Sequence, residues 1–346
     1  MKRWMLAFRI GFTYIGTVVG AGFASGQEIY QFFSVFGKYS LWAILLAVFL
    51  FAWLGTRMMM IGARLNASSY QEFNHYLFGN RFGKWMNGFV AVILFGVITA
   101  MLSGTGALAK EQLGLSFHIG VWITIGLAFL VILKGMDGIL SINSLVVPFM
   151  LFFTCLIGIQ SLQAPGWSEI FHLPVVNRDG HWMLSAVSYV AFNLAMSQAV
   201  LVPLGGEIQD AKLLRLGGWI GGVGLGIMLW ISNIAMQLRF EDIRSVEIPM
   251  AVVIGTLGVW IKYFFLAVMW GEIFTTLIGN IYGLAAYLRQ IWGLKEMTWI
   301  CFIFISTYFC SLVGFPVLIS YLYPFFGYLG FMVLLLLIVR QKPVRC

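Results

Sequence analysis

The sequence predicts an all-α polytopic membrane protein of about ten transmembrane helices. Three observations predict it. Of the 346 residues, 61% are hydrophobic and only 10% are charged, and the mean hydropathy is +0.92, which excludes an ordinary soluble domain. Apolar windows of about 20 residues recur from end to end, and each can cross about 30 Å of hydrocarbon. The first window carries four glycines within eleven residues, Gly16 to Gly26, where an uninterrupted helix needs none. No polar linker divides the chain. One membrane domain over residues 1–346 is expected, with halves at about 7–162 and 182–339.

The candidate spans lie at about 7–35, 40–61, 86–109, 118–134, 139–162, 182–206, 214–236, 257–288, 298–314 and 316–339. Met1-Lys2-Arg3 before an apolar run imitates a signal peptide, but Arg9 interrupts the run, and the first span is read as retained. Its glycines allow the backbone to unwind. In lipid, unwound backbone persists only where protein buries it or where it lines a polar cavity. A break near Val18–Gly20 predicts a mid-membrane binding site of the secondary-transporter kind. Its outer half presents N–H groups to an anion. Its inner half presents carbonyls to a cation. The competing reading is a Gly16-x-x-x-Gly20 packing seam; Gly22 and Gly26 extend past what one seam requires.

Span 3 offers Thr99, Ser103 and Thr105 as cavity-lining candidates. In span 6, Asn193, Ser197 and Gln198 interrupt an apolar helix, and Pro203, Gly205 and Gly206 follow. These polar groups bind a ligand or bond neighbouring helices. Gly26-Gln-Glu-Ile29 and Gly205-Gly-Glu-Ile208 form a weak echo at corresponding ends of spans 1 and 6, which suggests an inverted repeat of five spans per half. Span 7 carries Gly217, Gly218, Gly221, Gly222, Gly224 and Gly226, read as a small-residue packing seam. The segment 240–256 opens with Glu241 and Asp242 and reads as a loop with a short helix or re-entrant piece, not as an eleventh span. In span 8, Glu272, Thr275, Thr276, Gly279 and Asn280 share one helical face. That stripe must face the bundle interior or water. Glu28 and Glu272 are intramembrane acids, candidates for proton transfer or gating. Trp42, Trp85, Trp122 and Trp299 fit interfacial belts.

Fifteen of the 21 Lys and Arg residues fall on the side of the N-terminus. This asymmetry places both termini in the cytoplasm of a bacterial inner (cytoplasmic) membrane. It also accounts for the net charge of +8 through lipid headgroups, with no role for nucleic acid. Cys155, Cys301, Cys310 and Cys346 suggest neither a disulfide framework nor a zinc site. His75, His118, His172 and His181 form no HExxH, and no Walker A sequence is present. An enzyme is not expected, and no cofactor beyond a coupling Na⁺ or H⁺.

The run Arg9-Ile-Gly-Phe-Thr-Tyr-Ile-Gly-Thr-Val-Val-Gly-Ala-Gly-Phe-Ala-Ser-Gly-Gln-Glu28 resembles the opening of the YkvI-type bacterial membrane proteins. Size and span count agree over essentially the whole chain. That family is similar to the amino acid–polyamine–organocation (APC) superfamily, with its LeuT-type 5+5 inverted repeat and broken helices 1 and 6. The resemblance implies a cation site in which Gly16 and Val19 supply carbonyls, Thr275 and Thr276 hydroxyls, and Glu272 its backbone carbonyl. It implies a substrate site in which Gly20, Ala21 and Gly22 offer amides to a carboxylate, with Thr17 beside the break and Asn193 and Ser197 on span 6. Two features depart from the family pattern. Span 6 has no glycine at its presumed break, and an acidic side chain at 272 leaves proton coupling open.

The function expected is Na⁺-coupled symport of an amino acid or similar small zwitterion. The alternatives are a proton-coupled carrier or exchanger of another small polar solute, and a non-transporting membrane receptor or assembly partner.

Overall fold

Glycine and side-chain hydroxyls decide where the first span breaks. In the computed structural model the described residues are 2–162, 181–243, 249–254, 258–313 and 330–339. Span 1 is in three pieces, α1 (Lys2–Val18), α2 (Ala21–Ser25) and α3 (Gln27–Phe32). Gly20 is extended at the first junction, and Gly26 takes φ +86° at the second, a conformation costly to any residue with a Cβ.

A 3-10 turn over Ser34–Tyr39 leads to α4 (Ser40–Leu50), a π turn over Phe51–Gly55, and α5 (Thr56–Leu65). The π turn has an identifiable cause. The Tyr14 hydroxyl donates to the Phe51 carbonyl at 2.8 Å, and a Cβ on Gly55 would stand 2.0 Å from that hydroxyl. A side chain inserted into the carbonyl ladder widens one turn.

There follow α6 (Tyr70–Leu113), opened by a Ser69–Glu72 capping box and kinked at Gly79, α7 (Phe117–Ile132) and α8 (Gly135–Leu162). Next come α9 (Trp182–Ile208) and α10 (Ala211–Gln237), the latter capped by Asp210. The segment read as a loop holds two short helices, α11 (Phe240–Ile243) and α12 (Pro249–Ile254). The last are α13 (Val259–Trp292), α14 (Glu296–Ser311) and α15 (Gly330–Val339). Among the described residues, six helical stretches are long and apolar enough to cross a membrane, and α7, α14 and α15 are shorter apolar helices. The first part of span 10 and Cys346 lie outside the described residues.

The helices form two groups. In one, α1, α4–α5, α9 and α10 pack together; in the other, α6, α7, α13 and α14. Helix α8 touches both groups. The glycines of α10 serve two seams. A Cβ on Gly217 or Gly221 would strike Ile10 or Tyr14 of α1, and one on Gly218, Gly222 or Gly226 would strike Thr56, Ala52 or Val48 of span 2. Small residues allow this close approach of membrane helices.

Four connections meet at one end, where Asn66, Lys134, Asp137, Glu207, Arg289 and Glu296 line a common pocket of about 620 Å³. These segments are the ones that the charge asymmetry assigns to the cytoplasm.

The break expected in span 6 is absent. Helix α9 is continuous from Trp182 to Ile208, and the physical reason lies in its polar residues. Asn193 Nδ2 donates to the Tyr189 carbonyl (2.9 Å), Ser197 Oγ to the Asn193 carbonyl (2.6 Å) and Gln198 Nε2 to the Ala195 carbonyl (2.8 Å). All three back-bond within their own helix. The Gly205–Ile208 echo is sequence only, since Gly205 stays helical while Gly26 is left-handed.

Candidate functional site

The site begins with carbonyls that lose their helical partners. The Val19 N–H closes the last turn of α1 on the Ile15 carbonyl (2.8 Å), and the ladder resumes with Ala24 N–H on the Gly20 carbonyl (2.9 Å). The carbonyls of Gly16 and Val19 lie in the gap. Residues left without a ladder partner and buried need another one.

Helix α13 provides it. Thr275 Oγ1 reaches the Gly16 carbonyl at 3.0 Å and the Glu272 carbonyl at 2.9 Å. Thr276 Oγ1 reaches the Gly16 carbonyl at 3.2 Å and also contacts the Val19 carbonyl. The side chains of Thr275 and Thr276 are fully buried or nearly so. Five oxygens therefore gather: three carbonyls and two hydroxyls. The hydroxyls bring two protons for three carbonyl acceptors. Such a cluster has lone pairs to spare and is suited to a hard cation, for which oxygen is the preferred ligand. It carries no formal charge.

Gly16, Val19, Glu272, Thr275 and Thr276 are thus brought together. The solute-side candidates are more dispersed. Gly20 lies between Met101 of α6 and Thr276, and a Cβ there would be 3.3 Å from Met101 Cε and 3.4 Å from Thr276 Oγ1. Ala21 and Gly22 open α2. The Thr17 hydroxyl back-bonds to the Thr13 carbonyl at 2.6 Å. Asn193 and Ser197 are wholly buried in α9, with the back-bonds given above. Glu28 is enclosed by protein. It is 4% exposed, its carboxyl folds over Gly22, where a Cβ would be 2.2 Å from Oε1, and it faces the Tyr189 hydroxyl together with Asn193. The Glu272 side chain is 7% exposed and makes no hydrogen bond or ion pair among the described residues.

Further buried polar atoms lack a hydrogen-bond partner: Ser103 Oγ on α6, Asn143 Oδ1 on α8, Gln198 Oε1 on α9, and both amide atoms of Asn280 on α13. An unmade bond to a buried polar atom costs about 1–3 kcal/mol. Of these, Asn143 Oδ1 lies against Gly16 at the end of α1, and a buried unpaired polar atom is a place that water or an ion can satisfy. Ser103 and Asn280 stand out in the sequence as polar residues in apolar helices. Asn143 has no place in the sequence reading, and its only signal there is an amide between Ser141 and Ser144 in α8.

Among the described residues no three His, Cys, Asp or Glu gather as a metal site. Cys155, Cys301 and Cys310 are free and exposed.

Comparison with known proteins agrees with this architecture. No family model matches the chain. Several solved structures share its fold. A crystal structure of MhsT in complex with L-phenylalanine superposes with TM-score 0.70 at 15% identity, over 95% of this chain and 86% of that one. A Na⁺-coupled sialic acid symporter in a substrate-bound outward-open state gives TM-score 0.70 at 13% identity, over 96% and 79%. Mhp1, a nucleobase-cation-symport-1 family transporter in a closed conformation, gives 0.60 at 13% identity, over 94% and 75%. The fold is the LeuT type that the opening run implies, with span 6 unbroken. YyaD of Bacillus subtilis (strain 168) is 24% identical over 339 residues, 97% of this chain and 96% of that protein. The membrane protein YkvI of the same organism is 39% identical over 345 residues, 98% of this chain and 97% of that protein. On that similarity, sustained across both chains from end to end, the chain belongs to the YkvI family of membrane proteins.

Proposed function

We propose that the protein is a secondary active transporter of the bacterial inner (cytoplasmic) membrane, a Na⁺-coupled symporter of an amino acid or similar small zwitterion, and not an enzyme. The observation that carries this reading is the convergence of the Gly16, Val19 and Glu272 carbonyls with the Thr275 and Thr276 hydroxyls. The cluster joins α1 to α13, one from each helix group. A cation there links the two groups and couples its own binding to their relative position. Hard oxygen ligands without formal charge favour a monovalent cation over a divalent one, since divalent sites are built with carboxylates. A carboxylate-bearing solute would meet the amides of Gly20, Ala21 and Gly22. The fold neighbours include proteins whose structures hold L-phenylalanine and a Na⁺-coupled sialic acid symporter. Both are consistent with a small solute moved with a cation.

Thermal unfolding of the purified protein in detergent tests this. Samples would hold NaCl or KCl at equal ionic strength, with a panel of amino acids and related solutes. A ligand of the folded state alone raises the midpoint. The expected result is a Na⁺-specific shift, enlarged by one solute and lost in Thr275→Val/Thr276→Ala. Equal midpoints in Na⁺ and K⁺ for the parent would overturn sodium coupling.

One observation favours a second reading, proton coupling: Glu272 is buried with no counter-ion among the described residues. Such an acid in a membrane helix is a natural proton carrier. Glu272→Gln separates the two readings. Solute uptake into proteoliposomes that keeps its pH profile in this variant speaks against the proton.

A further inference from the structure

We infer that Asn143 supplies a sixth oxygen to the cation site and sets its selectivity among cations. This rests on the cation site proposed above. Asn143 is fully buried on α8. Its Nδ2 donates to the Ile139 carbonyl at 2.7 Å. A carbonyl only accepts, so this bond fixes which end of the amide is nitrogen. The oxygen must then point the other way, and Oδ1 has no hydrogen-bond partner.

Its direction is defined by Gly16. A Cβ built on Gly16 would stand 1.8 Å from Asn143 Oδ1 and 3.3 Å from Thr275 Oγ1. The same face of Gly16 therefore receives the orphan amide oxygen and the threonine hydroxyl. Any side chain at 16 would displace the amide, which gives Gly16 a role beyond freeing a carbonyl.

A third helix then joins the site. α8 packs on both α1 and α13, so Asn143 would close the coordination from a side that the threonines do not reach. An amide oxygen adds a ligand without adding charge. It keeps the site suited to a monovalent ion while making its size more exacting.

The test is the midpoint shift of the purified full-length protein titrated with NaCl, LiCl and CaCl₂ against a KCl background. The parent, Asn143→Ala and Asn143→Asp would be compared. Loss of a group that orients a metal's ligands already weakens affinity about 10–100-fold. We expect Asn143→Ala to need about tenfold more NaCl for a half-maximal shift, and its preference for Na⁺ over Li⁺ to narrow. Asn143→Asp keeps size and oxygen but adds charge, and is expected to admit Ca²⁺. A purely structural role for Asn143 moves the KCl midpoint and leaves the NaCl titration and the ion preference as in the parent. That result overturns the assignment and leaves the five-oxygen site standing. An Asp variant with the parent's ion response overturns it equally. A parent with no Na⁺-specific shift overturns the cation site and this assignment together.

Discussion

Spans 1 and 6 occupy corresponding places in the two halves of the chain, and they solve opposite problems. Span 1 leaves the helix after Val18 and resumes at Ala21. Span 6 holds its helix from Trp182 to Ile208. Both carry polar groups and both carry glycines, so neither feature alone decides the outcome. What differs is the partner. The carbonyls freed in span 1 are met by hydroxyls from another helix, Thr275 and Thr276. In span 6, Asn193, Ser197 and Gln198 turn back on their own helix. The glycines differ in the same way. In span 1, Gly20 and Gly26 sit at the two junctions, whereas Gly205 and Gly206 admit the backbone of α5 and of the connection after it, with Cβ positions 2.1 Å and 2.2 Å from the Met59 and Ala67 carbonyls. A membrane helix breaks where its released carbonyls are received elsewhere, and glycine only permits it.

The sharpest way to break this comparison is to exchange glycine for a larger residue in each span. Gly205→Val drives a side chain into the Met59 carbonyl, which is backbone and cannot move aside. Overpacking costs about 1–3 kcal/mol and sometimes more, and here the upper end is expected, seen as loss of monodisperse protein. Gly20→Ala meets the Met101 methyl at 3.3 Å, the flexible end of a side chain. It should fold, with a stability within about 1 kcal/mol of the parent. Equal damage from both would show that the two spans use glycine alike.

Next in size is the hydroxyl contrast. Thr276→Ala leaves the Val19 carbonyl without its side-chain partner and should lower stability by about 1–3 kcal/mol. Thr276→Ser should recover it. Ser197→Ala removes only a back-bond to the Asn193 carbonyl, which its own helix can spare, and about 0.5 kcal/mol or less is expected. Chemical unfolding in detergent would rank the three.

Much of this contrast was legible in the residues. Four glycines in eleven have no purpose in an intact membrane helix, so the break in span 1 could be placed within a residue or two. The polar stripe of α13 follows from spacing, and its pairing with Gly16 and Val19 came only through the family resemblance. Span 6 misled for a physical reason. Asn, Ser and Gln bond a ligand, a neighbour or their own i−4 carbonyl with the same atoms, and the choice depends on what packs beside them. Asn143 was illegible because its meaning lies in the distant Gly16. The glycine seams of α10 were plain as packing; that they serve two different helices required the fold. Gly26 counts in the sequence only as one glycine more than a packing seam requires, and its φ of +86° marks a separate corner between α2 and α3. Gly26→Ala should cost about 1–2 kcal/mol from backbone strain, more if Met250 Cγ, 2.8 Å from the new Cβ, cannot yield.

The smallest effect joins the two spans at their ends. Arg3, at the start of α1, pairs with Asp210, just past the end of α9, at 2.8 Å. Asp210 also caps α10 through the N–H groups of Lys212 and Leu213. The Arg3 guanidinium, helped by the Leu213 amide, holds this carboxyl below the usual carboxylate range. A depressed folded-state value stabilises the protein above the unfolded value, about pH 4. That stability is lost as pH falls through the folded value. The pair is exposed and screened, so Arg3→Ala should barely move the midpoint at pH 7 in ordinary salt. Between pH 5 and 3, Asp210→Asn should lose less midpoint than the parent, because it has no proton to take up there.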